Sequence, residues 1–282
     1  MNSRFFWGIL FLLVIARFLH FGTLIDEPHD WRQSDTAFYI YDFYINGIDL
    51  LEPAVCWMGN YERVIFEFPL PEAIVAFLYQ LFGEHLPIAR FIFYLFFIGA
   101  LYFFHQIVQL IFGKKTAQWA TLVYLSLPLS WFYSRAIHID FSSIMAAHAM
   151  LYFYLKGVSK RHFTALIWSS LWASLVFLIK VPYAFYLALP MLAFAWKENA
   201  IGWMLKRAVV FVVPLFTFLL WQQYVYKING QAPDWNYILH YRKFDNNHSW
   251  YFGSWARRID FNAWKILAKR GVLEVIGLGG IL

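Results

Sequence analysis

Cysteine is almost missing from this 282-residue chain, where Cys56 stands alone. That excludes a disulfide framework and any cysteine-based zinc site, and the lone thiol is expected to be a small buried hydrophobe. Charge is scarce too: Asp, Glu, Lys and Arg make up only 14% of residues, against about 25% in an ordinary soluble domain. So little charge excludes a soluble globular enzyme. No internal repeat, low-complexity tract or flexible linker stands out, and Gly and Pro are scattered singly. One membrane domain over residues 1–282 is the economical reading.

What the chain has instead is apolar bulk. It is 61% hydrophobic and 22% aromatic, with 31 Phe, 18 Tyr and 14 Trp, and its mean hydropathy is +0.51. Seven segments have the length and character of membrane spans: Phe5 to Phe21, Ile88 to Phe112, Thr116 to Tyr133, Phe141 to Leu155, Phe163 to Ile179, Val181 to Trp196 and Ala208 to Val225. The first carries Arg17 and His20 near its end and lacks a small-residue cleavage site after it, so it reads as an uncleaved span. The expected fold is therefore an all-α polytopic membrane protein.

The bases give its orientation. Lys114-Lys115, Lys156 with Lys160-Arg161, and Lys197 with Lys206-Arg207 occupy short connections, which are held on the cytoplasmic side. Placing all three there, with the N-terminus, requires an odd number of crossings between Phe21 and Lys114. The segment Leu70 to Phe82 must then lie in the interface without crossing. Residues 22–87 become a large outer loop, which holds eleven of the seventeen acids and only Arg32 and Arg63 as bases. The same parity puts Arg135 to Asp140, Lys180 and residues 227–270 outside. That last segment carries eight bases against Asp234, Asp245 and Asp260, so it calls for an anionic partner, phosphate or an anionic lipid headgroup. With the net charge of +6 assigned to membrane topology, nucleic acid is not an expected partner. The apolar run Val272 to Leu282 is too short to cross, and the sequence is expected to be the N-terminal part of a longer membrane protein.

The densest polar cluster is Asp26-Glu-Pro-His-Asp-Trp-Arg-Gln-Ser-Asp-Thr-Ala37, where the first span exits. A general base serving a lipid-borne headgroup must sit at that depth, which makes Asp30 and Asp35 candidates. The plainer reading is a solvated stretch in which Ser34 or Asp35 caps a helix over Thr36 to Tyr44. Asp140, at the outer start of a span, is either an interfacial anchor or a second carboxylate for the same pocket. Lys180, before Pro182, is either a phosphate contact or a snorkelling lysine. Arg242-Lys243 and Arg257-Arg258 are further phosphate candidates. His105 and His148 lie inside spans without a second metal ligand at helical spacing, so they read as packing residues; no cofactor is expected, and a divalent ion in the acid-rich first loop stays open, with no fixed ligand spacing to show one.

Three features together resemble a family. They are Trp31-Arg-Gln-Ser-Asp-Thr-Ala37 after the first span, Glu67-Phe-Pro-Leu-Pro-Glu-Ala running to Leu81-Phe-Gly83, and Leu125-Ser-Leu-Pro-Leu-Ser through Asp140. In this order and on one side of the membrane, they resemble the membrane-embedded GT-C glycosyltransferases of the polyprenyl-phosphate-mannose protein mannosyltransferase and aminoarabinose transferase group, similar to glycosyltransferase family 39. The resemblance implies a GT-C-like helical bundle whose first outer loop bears juxtamembrane helices. It implies sugar transfer from a polyprenyl-phosphate donor to a lipid, glycan or protein acceptor, with inversion, at the outer face of a bacterial inner membrane. The first-loop acid would be the general base, with Asp35 preferred over Asp30 and Asp140 in support. Arg32, Gln33, Glu67, Lys180, Arg242 and Lys243 would bind substrate. The chain departs from the group in one respect: many members place an Asp-Glu pair before Tyr-Ala, whereas Arg32-Gln33 precedes Thr36-Ala37 here. The competing readings are a transporter or flippase of lipid-linked saccharide, expected to show paired halves and mid-span acids that this sequence lacks, and a non-catalytic membrane subunit.

Overall fold

The structure is a computed structural model that describes residues 3–25, 30–56, 62–231 and 254–275. It is built of helices: α1 (Ser3–Ile15, continued by a 3-10 turn over Ala16–His20), α2 (Asp30–Asn46), α3 (Leu70–Phe82), α4 (Leu86–Phe112), α5 (Lys114–Ser126), α6 (Pro128–Tyr133), α7 (Asp140–Lys160), α8 (Phe163–Ile179), α9 (Pro182–Lys197), α10 (Ile201–Leu205), α11 (Val212–Asn229), α12 (Trp255–Ile259) and α13 (Phe261–Arg270). One small departure from all-α is an antiparallel pair, β1 (Ala54–Val55) on β2 (Glu62–Arg63), with Val55 opposite Glu62. Cys56 follows the buried Val55 and is exposed. The expectation of a buried thiol is thus corrected: Cys56 lies just past the end of β1, beyond the buried pair Ala54 and Val55.

Among the described residues, two helices are long and apolar enough to cross a membrane, Leu86–Phe112 and Ala208–Asn229, the second including the 3-10 turn that precedes α11. Leu70–Phe82 and Phe163–Ile179 are shorter apolar helices. The expected span Thr116 to Tyr133 is broken in two. Pro128 has no N–H to continue the helix, and Leu127 turns extended at φ −66° and ψ 136°. Interrupting the helix frees carbonyl groups, and one of them is met by a distant cation. Arg17 Nη2 donates to the Leu125 carbonyl at 2.6 Å and Arg17 Nε to Ser134 Oγ at 2.9 Å. Its guanidinium lies 4.6 Å from the Trp131 ring centroid and 5.1 Å from that of Phe97. Arg17 is therefore fully buried yet satisfied by carbonyl, hydroxyl and ring faces.

Long-range hydrogen bonds show which helix ends share one end of the bundle. Arg90, near the start of α4, donates to the carbonyls of Thr23, Leu24 and Arg135. Phe68 N donates to the Leu178 carbonyl at 3.1 Å, clipping the first loop to the end of α8. Asn229, at the end of α11, accepts from Ile65 N at 2.8 Å and donates to the Ile65 carbonyl at 2.9 Å, as a neighbouring strand would. At the other end, Arg161 follows α7 and donates to the carbonyls of Glu198 and Asn199 beyond α9. The ends of α1, α8 and α11 and the starts of α4 and α7 thus meet the first loop together.

A shared core supports that end. Ile40 and Phe43 of α2, Val75, Ala76 and Tyr79 of α3, Ala89 and Phe93 of α4, Ile137, Ile139 and Ile179 pack in one buried cluster. Helix α3 closes at Gly83 with φ +85°, a conformation glycine adopts without steric cost, and α4 starts three residues later. This tight corner folds α3 back beside α2 and α4.

Candidate active site

Helix α2 starts at Asp30, four residues before the first capping position expected from sequence. Asp30 is exposed, and its Oδ1 accepts from the N–H of Trp31 at 2.8 Å in the first helical turn. Ser34 and Asp35 are interior to the helix, so neither caps it. The buried side of α2 carries Arg32, Gln33, Thr36, Tyr39, Ile40 and Phe43, at helical spacing. Asp35 falls at the edge of that side, with its side chain 12% exposed. It is largely shielded by protein, with Oδ2 buried.

Arg32 organises the first half of the site. It pairs with Glu67, lies with Nη1 3.8 Å from Asp35 Oδ2, and stacks its guanidinium 4.9 Å from the Phe66 ring centroid. Tyr39 pins the strand-like segment carrying Phe66 and Glu67, donating its hydroxyl proton to the Val64 carbonyl at 2.5 Å and accepting from Phe66 N at 3.4 Å. One turn into α3, Glu72 is only 3% exposed and its Oε2 has no hydrogen-bond partner among the described residues. Burial, offset in part by its own backbone N–H and by Arg32 and reinforced by Glu67, pushes this carboxyl up to about 8. The protonated form of Glu72 is thereby favoured far more than that of an ordinary carboxylic acid.

The second half lies where α7 begins and α8 ends. Lys180 Nζ donates to Asp140 Oδ1 at 2.6 Å, and His138 Nδ1 lies 3.3 Å from Asp140 Oδ2. Burial disfavours the Asp140 charge, but Lys180, His138 and the Tyr183 hydroxyl together outweigh it and hold the carboxyl below its ordinary range. Such a carboxylate is a weak base and a good anchor for an ammonium. Close by, Arg135 keeps Nε and Nη1 buried without a hydrogen-bond partner among the described residues.

Two hydrogen bonds join the halves. Gln33 Oε1 accepts from the N–H of Ile137 at 3.2 Å, three residues before Asp140. Phe68, next to Glu67, bonds the Leu178 carbonyl, two residues before Lys180. The structure thus brings Arg32, Gln33, Asp35, Glu67, Asp140 and Lys180 to one end of the bundle and leaves Asp30 exposed at its margin. Arg242 and Lys243 lie outside the described residues. His105 Nδ1 meets Thr121 Oγ1 at 2.8 Å and His148 Nδ1 meets the Ala100 carbonyl at 3.0 Å, both contacts between helices. Among the described residues there is no group of three or more His, Cys, Asp or Glu that could hold a metal ion.

Sequence reasoning missed Glu72, Arg135 and Asn229. Glu72 was visible as an acid in the first turn of an apolar helix. The other two carried no local signal, since their roles depend on elements far along the chain.

Residues 67–226, more than half of the chain, match the family described as dolichyl-phosphate-mannose-protein mannosyltransferase. No curated protein and no solved structure matches.

Proposed function

The chain belongs to the dolichyl-phosphate-mannose-protein mannosyltransferase family, a family of membrane glycosyltransferases of the GT-C type, and from that premise we propose that it moves a sugar from a polyprenyl-phosphate donor to an acceptor at the outer membrane face, with inversion. The observation that carries this reading is the pairing of two half-sites, Arg32 with Glu67 and Asp35, and Lys180 with Asp140, clipped together by Gln33 and Phe68. One half offers a carboxylate to an acceptor, and the other offers cations to a phosphate.

In the proposed step the acceptor attacks the anomeric carbon from the face opposite the phosphate. The bond between that carbon and the phosphate oxygen breaks, the electron pair leaves with polyprenyl phosphate, and the acceptor's proton passes to Asp35. Asp35 suits the base better than Asp30, which is spent on its helix terminus, or Asp140, which is held ionised by Lys180 and His138. Lys180 receives the phosphate charge as it develops, with the edge of Arg135 that has no partner among the described residues as a second donor. Exposed apolar side chains on α9 and α11, such as Leu189, Leu192, Leu215 and Leu219, suit a chain that crosses the bilayer several times. The whole of 1–282 then forms one membrane domain, with residues 22–87 as an outer loop and the segment beyond 227 also outside.

The test is transfer of labelled sugar from polyprenyl-phosphate donors by membranes carrying the native full-length chain. Asp35→Asn is expected to lower kcat by about 10² to 10⁴ with donor KM nearly unchanged. Lys180→Ala is expected to raise donor KM roughly tenfold, with a smaller loss in kcat. Equal transfer by wild type and variants, or none from wild type with a range of donors, overturns the reading in favour of a carrier of lipid-linked saccharide or a binding subunit.

A further inference from the structure

Helices α12 and α13 form a short amphipathic unit that the proposed chemistry does not use. Each begins at a side-chain cap: Ser254 accepts from the N–H of Arg257 at 3.3 Å, and Asp260 from that of Asn262 at 2.9 Å. The indole N–H of Trp264 donates to the Arg258 carbonyl at 2.6 Å, tying the second helix to the first. On α13, Phe261, Trp264, Leu267 and Ala268 fall on one side at helical spacing, while Asn262, Lys265, Lys269 and Arg270 fall on the other. The apolar members are not packed inside. Phe261 is 79% exposed and Trp255 78%. Five bases line the unit, Arg257, Arg258, Lys265, Lys269 and Arg270, and its single acid, Asp260, is taken up as a helix cap.

We propose that α12 and α13 lie in the membrane interface as a docking surface for anionic phospholipid. Exposed aromatic and aliphatic side chains beside a dense row of bases match a bilayer surface, where rings enter the acyl boundary and ammonium and guanidinium groups meet phosphates. The charge balance selects anionic lipid over a zwitterionic one. The turn over Gly271–Val275 packs against α6, next to the helix interruption that Arg17 fills. The lipid surface is thereby set at the same end of the bundle as the candidate active site.

The test uses the full chain in lipid nanodiscs, with Cys56→Ser and single spin-labelled cysteines at positions 261, 267, 262 or 269. In discs of phosphatidylglycerol with phosphatidylethanolamine, labels at 261 and 267 are expected to collide with oxygen and those at 262 and 269 with a water-soluble nickel chelate. In phosphatidylcholine alone this contrast is expected to shrink. Lys265→Gln, Lys269→Gln and Arg270→Gln together are expected to weaken docking roughly fivefold per base. Equal contrast in both lipids, nickel access at all four positions, or shielding of 261 and 267 from both reagents would each overturn the proposal, the last in favour of a protein partner.

Discussion

Glu72 is the residue whose chemistry is most unlike its ordinary behaviour. Its carboxyl titrates near 8 in the folded chain against 4.5 for the unperturbed group. The folded state therefore holds a proton that the unfolded state releases. The stability this gives is fully present below about pH 4.5 and is lost as pH rises through about 8. Thermal unfolding measured from pH 5 to 9 should show Glu72→Gln with a flatter profile and a gain of about 1–3 kcal/mol over wild type at the alkaline end. A variant whose profile parallels wild type would remove Glu72 from this role. Asp140 behaves in the opposite sense: its carboxyl is held low, and the stability of its pairing is lost only as pH falls through that lowered value. The sequence marked Asp140 and Lys180 separately, but not their union. Forty residues separate them, and only the return of α8 alongside α7 brings the ammonium to the carboxylate.

The elements differ in how far they could be read beforehand. Helices α3 and α4 follow the apolar runs and their flanking prolines and glycines closely, since those are local signals. The start of α2 did not, because Asp30 competes with Ser34 and Asp35 as a terminus and only the burial of Arg32 and Gln33 decides among them. The break at Pro128 was present in the sequence, yet the apolar run continued across it and concealed it. Segment 62–68 is the least legible, being held almost wholly by distant partners: Tyr39, Arg32, Leu178 and Asn229. Replacing Asn229 by Ala leaves the N–H and carbonyl of Ile65 buried without that partner, at a cost of about 1–3 kcal/mol for each group. Hydrogen exchange in segment 62–68 should rise at least tenfold in Asn229→Ala, while that of α4 stays as in wild type. Unchanged exchange would mean that Tyr39 and Phe68 hold the segment alone.

Across the whole molecule, summed loop charge gives an expected sidedness, whereas the convergence of helix ends needed three dimensions. Cys56, exposed on the first loop and alone in the chain, offers a direct measure. A membrane-impermeant maleimide should label intact cells carrying the wild-type chain, and should label Cys56→Ser with Lys115→Cys only after the membrane is opened. The reverse pattern would invert the topology and separate the proposed site from an outer acceptor. The double hydrogen bond between Ile65 and Asn229 also sets an order of events during synthesis. Asn229 follows Ile65 by 164 residues, which at translation rates of about 5–20 residues per second is roughly 8 to 33 seconds. Throughout that interval the first loop lacks this fastener. Glu67, two residues beyond Ile65, therefore gains this fastening only once α11 has been made, long after its partner Arg32 in α2.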